Sequence, residues 1–281
     1  MASLLSCASQ SFLLFFIFIY WASGCALLLL GTALLVDSSR QLLFFLVNIE
    51  DGQLLLPTFR LLCVGLVLIG TFKLLVGLLG CLGAVKQDYC IVAFYFCFVA
   101  ITMCSEITVG AFSHVHQQRT DAALAHTLGR KLAKYYGVPD RGQETMAIDF
   151  AQYKFQCCGV QFPSDYNYSR WRVEELGGAE LRVPLTCCAL REDAPQPYRN
   201  PHPRDPETCQ ERDPLQHHSQ RHTQGCLQGI ARWLDRESTV LTSVGVAAGC
   251  VDLICAVITL CWCRQISANR AVKREAWELT L

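Results

Sequence analysis

Residues 61–85 read LLCVGLVLIGTFKLLVGLLGCLGAV, twenty-five positions with a single charge, Lys73. A helix needs roughly 20 apolar residues to cross the ~30 Å hydrocarbon layer of a bilayer. Inside that layer only helices and closed barrels satisfy their own backbone groups, and a run this continuous argues for a helix. Three further runs repeat the pattern. Residues 12–36 hold no charge, 89–112 hold Glu106 alone, and 240–263 hold Asp252 alone. The first run exceeds the about 7–15 apolar residues of a secretory leader and has no Lys or Arg before it, so it reads as an anchor. The expected fold is an all-α membrane protein: four transmembrane helices with a small disulfide-stapled helical extracellular loop domain.

The composition agrees. Of 281 residues 52% are hydrophobic and 17% charged, where soluble domains carry about 25% charged residues. The formal net charge is zero, which gives no support for nucleic acid as a partner. Lys and Arg near span ends prefer the cytoplasmic side. Arg264, Arg270, Lys273 and Arg274 follow the last run, and Lys86 lies in the short link between the second and third. Arg40 and Arg60 in the first loop are offset by Asp37, Glu50 and Asp51. Both termini are therefore expected in the cytoplasm. The layout is a cytoplasmic N-terminus (1–11), span one (12–36), a small extracellular loop (37–60), span two (61–85), a cytoplasmic link (86–88), span three (89–112), a large extracellular loop (113–239), span four (240–263) and a cytoplasmic tail (264–281).

The large loop opens as a continuation of span three, with Phe112, Val115, Leu128, Leu132 and Tyr135 at helical spacing until Gly137 and Pro139 stop it. A second helix from about Gln143 carries Met146, Phe150, Tyr153 and Cys157 on one stripe, and Gly159 is placed to end it in a left-handed turn. Eight of the ten prolines fall between residues 163 and 214, which reads as loop. A last helix begins near Gly225, carries Cys226, Ile230, Trp233 and Leu234 on one face, and runs on into span four.

Six of the 17 cysteines lie in this loop: Cys157, Cys158, Cys187, Cys188, Cys209 and Cys226. An even number in a segment facing the oxidising side implies disulfides. Six cysteines allow 15 pairings, which the residues alone leave open, although adjacent cysteines are poorly placed to bridge each other. The spacing lacks C-x-x-C, so disulfides are favoured over zinc. Cys7, Cys81, Cys90, Cys261 and Cys263 lie at the expected cytoplasmic span ends, where cysteines are candidates for reversible palmitoylation.

Several motifs then resemble the tetraspanin family over nearly the whole chain. Gln156-Cys157-Cys158-Gly159 resembles the family's Cys-Cys-Gly signature, and Val183-Pro184-Leu185-Thr186-Cys187-Cys188 resembles its Pro-x-Ser-Cys motif with Thr for Ser. Gly225-Cys226 resembles the last loop cysteine, and Gly80-Cys81-Leu82-Gly83-Ala84 the end of the second span. Glu106 and Asp252 fall where the family carries polar residues in spans three and four. The six-cysteine loop is similar to that of integrin-associated tetraspanins and uroplakins, and its Val-Pro-x-x-Cys-Cys stretch to photoreceptor rim tetraspanins. The resemblance implies bridges Cys157–Cys226, Cys158–Cys187 and Cys188–Cys209. It also implies a non-enzymatic organiser at the plasma or endosomal membrane. Such an organiser binds membrane receptors, adhesion proteins and other tetraspanins laterally, with recognition in the segment 188–226, and a homo-oligomer is a candidate state. No cofactor is implied beyond a candidate bound lipid or cholesterol among the spans. Ile17 replaces the asparagine that the family uses there, and Lys73 stands where the family is apolar.

A lone charge at mid-bilayer costs at least ~2.5–3.5 kcal/mol, so Lys73, Glu106 and Asp252 call for partners. Counted from the cytoplasmic ends, Lys73 and Asp252 lie roughly 17–18 Å deep and Glu106 roughly 24 Å. Lys73 is expected to pair with Asp252, with Glu106 protonated or within reach of the lysine stem. An interhelical clasp is favoured over a switchable pocket. Gly65, Gly77, Gly80 and Gly83 are expected to let the spans pack closely.

Asn167-Tyr168-Ser169 is a glycosylation sequon in the large loop. All seven histidines lie in that loop; His217, His218 and His222 read as solvated rather than metal-binding, and His114 and His116 as an exposed helix face. The end Leu279-Thr280-Leu281 is a weak match to a groove that takes a C-terminal strand. The alternative function is a channel or transporter lined by Lys73, Glu106 and Asp252, but one charge per helix makes a poor single-chain pore. An enzyme has no nucleophile–base set to support it.

Overall fold

A computed structural model describes residues 2–47, 56–117, 121–191, 195–217 and 219–278, with side chains for all of these except 2–9, 56–60, 109–117, 121, 214 and 273–278. The described residues contain no strand, only the isolated bridges Cys188–Arg221 and Leu190–Pro203. Four helices are long and apolar enough to cross a membrane, over Gln10–Val36, Leu61–Lys86, Tyr89–Thr108 and part of Leu227–Val272. They belong to α1 (Ala2–Val36), α3 (Leu56–Lys86), α4 (Tyr89–Gln117) and α10 (Leu227–Glu278). Between them come α2 (Ser38–Val47), α5 (Asp121–Tyr135), α6 (Gly142–Phe155), α7 (Arg170–Val173), α8 (Pro206–Gln210) and α9 (Pro214–His217), with 3-10 turns at Pro163–Tyr168 and Leu185–Cys187. The chain divides into two compact units: a span unit of Met1–Leu35, Arg60–Gln117 and Thr239–Leu281, and a loop unit of Val36–Phe59 and Gln118–Ser238.

In the span unit the buried positions repeat at alternating three and four residues, the spacing that keeps one seam of a helix facing its neighbours. On α4 the seam is Val92, Tyr95, Val99, Thr102 and the half-buried Glu106; on α10 it is Asp252, Cys255, Thr259, Trp262 and Ile266. α1 and α3 touch through backbone. A Cβ built on Gly70 would lie 2.8 Å from the Gly24 carbonyl oxygen and 2.7 Å from the Leu28 nitrogen, so only glycine fits there. Of the four glycines expected to serve packing, Gly77, Gly80 and Gly83 lie against Trp21, Tyr95 and Val92. Gly65 faces open space, because it lies off the seam that Cys63, Gly70 and Gly77 define. Toward the Lys86 end, Gln10 donates to the Ala84 carbonyl at 3.0 Å and Arg270 pairs with Asp88 at 3.6 Å.

The loop unit has its own core, with Leu43 and Leu46 of α2, Leu128 and Leu132 of α5, Ala147 and Phe150 of α6, and Ile230 of α10. α2 was not legible as a helix in the small loop. Asp37 starts it, accepting from the Ser39 and Arg40 nitrogens, and Arg40 bridges Asp37 to Glu237. Three details differ from the sequence reading. Tyr136 is buried and Tyr135 only half-buried, because α5 ends and the chain turns in just after it. α6 stops at Phe155 with Gln156 in the left-handed conformation, three residues before Gly159. Gly159 has a positive φ of its own because the following turn folds back, and a Cβ there would strike the Phe162 carbonyl. That turn is tied by Asp165, whose Oδ2 accepts from the nitrogens of Val160, Gln161 and Phe162.

The proline-rich stretch is also more than loop. It supplies Tyr166 and Trp171, which pack edge-on with Tyr136 at centroid distances of 5.3–5.8 Å, and Tyr198, which packs on Phe150 at 5.0 Å. The buried Arg221 closes the end of α8 by donating to the carbonyls of Cys209 at 2.5 Å and Glu211 at 2.9 Å. The structure joins Cys157 to Cys226, Cys158 to Cys187 and Cys188 to Cys209. The first closes 69 residues and the last 21. Loop-closure entropy then favours the longer bridge by about 1 kcal/mol. Replacing Cys157 and Cys226 together by Ser should therefore lower loop-unit stability more than replacing Cys188 and Cys209. Denaturant midpoints of the full chain, followed by near-UV circular dichroism, check the order.

Candidate functional site: a buried charge cluster among the spans

Lys73 of α3 is fully buried, and its Nζ stands 2.7 Å from Glu106 Oε1 on α4 and 2.7 Å from Asp252 Oδ1 on α10. Counted in residues from the Lys86 end, Glu106 lies four positions further than Lys73, about 6 Å along a helix at ~1.5 Å each. A lysine stem covers that offset, so one ammonium reaches both carboxylates. The ammonium also donates to Ser23 Oγ at 3.3 Å and lies 5.1 Å over the ring of Tyr20, both on α1. Thr102 of α4 stands 3.1 Å from Asp252 Oδ2 and 2.8 Å from the Val99 carbonyl, and its single proton serves one of them at a time. Tyr20 Oη is 3.2 Å away and can donate to Thr102. Residues of α1, α3, α4 and α10 thus meet at one level, where one cation faces two carboxylates.

The three charges were legible as isolated polar residues in apolar runs. Tyr20, Ser23 and Thr102 were not, because hydroxyls are ordinary in spans. The signal available was Thr102 one helical turn before Glu106, on the same seam. Ile17, one turn before Tyr20, is buried in the apolar core. Breaking a buried ion pair by removing one partner leaves an uncompensated charge and costs about 3–5 kcal/mol, while replacing the whole group by neutral residues costs far less. One buried cation thus joins α3 to both α4 and α10.

The other sites marked in the sequence fall elsewhere. Cys81, Cys90 and Cys261 are exposed and Cys263 is buried; the side chain of Cys7 lies outside the described residues. Asn167 is exposed on the 3-10 turn Pro163–Tyr168, whereas the Ser169 hydroxyl is buried, donating to the Tyr166 carbonyl at 2.7 Å and accepting from the Arg172 nitrogen at 3.3 Å. His217 is buried and His222 half-buried, and burial lowers the pKa of His222. His218, the side chains of His114 and His116, and Leu279, Thr280 and Leu281 lie outside the described residues. Among the described residues no group of three or more His, Cys, Asp or Glu side chains is arranged to hold a metal.

The sequence profile of the Tetraspanin family matches residues 9–265. The chain belongs to the tetraspanin family. Tetraspanin-11 of Homo sapiens is 28% identical over 254 residues, covering 89% of both chains. The CD82 antigen of Mus musculus is 23% identical over 263 residues, covering 93% of this chain and 94% of the other. The leukocyte surface antigen CD53 of Rattus norvegicus is 30% identical over 156 residues, covering 55% and 64%. With four apolar helices, this tetraspanin is a multi-pass integral membrane protein.

Lys73→Met should weaken the span unit by about 3–5 kcal/mol, since both carboxylates lose their counter-ion. The triple variant Lys73→Met, Glu106→Gln, Asp252→Asn should recover most of that loss. Surface delivery and thermal unfolding in detergent measure both. A single variant as robust as the triple would show that the three charges are not coupled.

Proposed function

We propose that this tetraspanin is a non-catalytic membrane organiser. It binds receptors or adhesion proteins sideways through its large loop and gathers them with other tetraspanins. The observation that carries this reading is how the two units differ in what they leave open. The charges in the spans are consumed by one another, whereas the loop unit exposes large apolar side chains, Phe162, Tyr168, Val173 and Leu215, on a body stapled by three bridges. Exposed apolar surface of this kind suits protein contacts. Because the Lys73 ammonium already sits between both carboxylates, the clasp reading is preferred to an ion path.

The basic residues Lys86, Arg264 and Arg270 near the span ends support a reading with both termini in the cytoplasm and the loop unit outside. The description of CD53 as a leukocyte surface antigen supports a cell-surface location. Acylation is assigned to the exposed thiols of Cys81 and Cys261; the buried Cys263 would have to turn out first. Sterol binding is not carried over, since Ile17 supplies no polar group.

Proximity labelling of the full chain, compared with a variant whose residues 189–225 are replaced by a short linker, tests the main reading. Specific membrane partners should disappear with the replacement; an unchanged partner set would move recognition to the rest of the loop unit around Phe162, Tyr168 and Val173, to the spans or to the tail. A sugar on Asn167 should be visible as a mobility shift that glycosidase treatment and Asn167→Gln both abolish.

A further inference from the structure

Under the 3-10 turn Leu185–Cys187 lies a second polar cluster, in the loop unit and unconnected with the clasp. Asp149 of α6 accepts at Oδ1 from the Tyr136 hydroxyl at 2.7 Å, and Thr186 Oγ1 lies 2.7 Å from the same oxygen. Thr186 Oγ1 is also 2.7 Å from Gln152 Oε1, and Gln152 Nε2 donates to Tyr166 Oη at 2.6 Å. Gln152, Tyr166 and Thr186 are all but fully buried.

Counting protons decides the direction of this chain. Thr186 has one hydroxyl proton. With the Gln152 oxygen facing Thr186, that proton goes to Gln152, so Thr186 must accept from Asp149. Only a protonated carboxyl can donate. When Asp149 is ionised, Thr186 donates to it instead, and the Gln152 amide has to turn over. Its nitrogen then serves Thr186 and its oxygen accepts from Tyr166. Each state pairs Asp149 with Thr186 and Thr186 with Gln152, and each requires the opposite orientation of the amide, so that Tyr166 accepts from Gln152 in one and donates to it in the other.

We propose that Asp149, Thr186, Gln152 and Tyr166 form a proton-operated relay: taking up one proton from water reverses the hydrogen bonds that run from Asp149 through Thr186 and Gln152 to Tyr166. Asp149 titrates where this matters. Its pKa is raised from 3.8 to about 6, chiefly by burial, with the bonds from Thr186 and Tyr136 pulling the other way. The groups facing it are Tyr136 from the end of α5, Thr186 from the 3-10 turn and, beyond Gln152, Tyr166 with Asp165 near it. The Arg40 cation of α2 is taken up by Asp37 and Glu237, and Lys131 of α5 donates to the Phe45 carbonyl.

The sign follows from the raised value. The folded state binds the proton more tightly than the unfolded chain, so the stabilisation is complete below about pH 4 and is lost as pH rises through about 6. Between about pH 5 and about pH 7.4 the folding equilibrium of the loop unit should change roughly tenfold, tighter in acid. The relay ends at Tyr166, which packs on Trp171 and lies beside the exposed Asn167 and Tyr168. Acid therefore firms the part of the surface that these residues occupy.

Hydrogen exchange of the full chain in lipid nanodiscs, corrected for the intrinsic pH dependence of exchange, tests this. Peptides covering 145–173 and 183–190 should be more protected in acid. Asp149→Asn, with its amide nitrogen where Oδ1 stands, can donate to both Thr186 and the Tyr136 hydroxyl, so it should hold the acid arrangement at neutral pH and abolish the response. Thr186→Val should uncouple the turn Pro163–Tyr168 while leaving the chain folded. Equal protection of the wild type at both pH values, or a wild-type response retained in folded Asp149→Asn, would overturn the relay.

Discussion

An ammonium held at mid-membrane depth has to be paired. In this tetraspanin one lysine meets that demand by joining two other helices at once. Lys73 reaches Glu106 and Asp252 at equal distances, and the hydroxyls of Tyr20, Ser23 and Thr102 complete its surroundings. Helices in lipid gain little from burying apolar surface against one another, since lipid tails are equally apolar. Packing at small residues and polar contacts must do the joining. Gly24 against Gly70 brings α1 and α3 into backbone contact, and Lys73 lies one turn along from that point. The charge cluster and the closest helix approach are parts of one joint.

The loop unit uses opposite means. Its helices are short, and three disulfides stand in for a large core. Polar side chains do interior work there. Asp165 ties a turn, Arg221 closes a helix end, and Asp149 with Thr186 links α6 to the cysteine-bearing turn. Thr186 stands beside Cys187, so the hydrogen-bond chain and the Cys158–Cys187 bridge fasten the same segment.

Long apolar runs made the span unit readable, because lipid leaves the backbone one choice. The charges in those runs were conspicuous against that background, and depth counting brought Lys73 close to Asp252. Counting residues says nothing about which way a side chain leans, and the lean of the lysine toward Glu106 settles the cluster. In the loop unit, periodicity located α5 and α6 but misplaced the end of α6. Left-handed closure at Gln156 follows from what the chain does next, and glutamine carries no mark of it. The helix at Ser38–Val47 was invisible because its Leu43 and Leu46 find their partners more than eighty positions away, in α5 and α6. Tyr166, Trp171 and Tyr198 were hidden among prolines that advertise turns, and local composition does not tell a turn that covers a core from one that does not.

The buried hydroxyl of Ser169 has a consequence for the order of events during synthesis. An enzyme that transfers sugar to Asn167 must read the hydroxyl two residues on. In the finished loop that hydroxyl is occupied by the Tyr166 carbonyl and the Arg172 nitrogen. Any sugar transfer to Asn167 would therefore compete with closure of this turn for the same atom and would have to come first. The glycan would act as a timestamp, present on chains whose 163–173 segment was still open when the transferase reached it and absent from those that closed too soon.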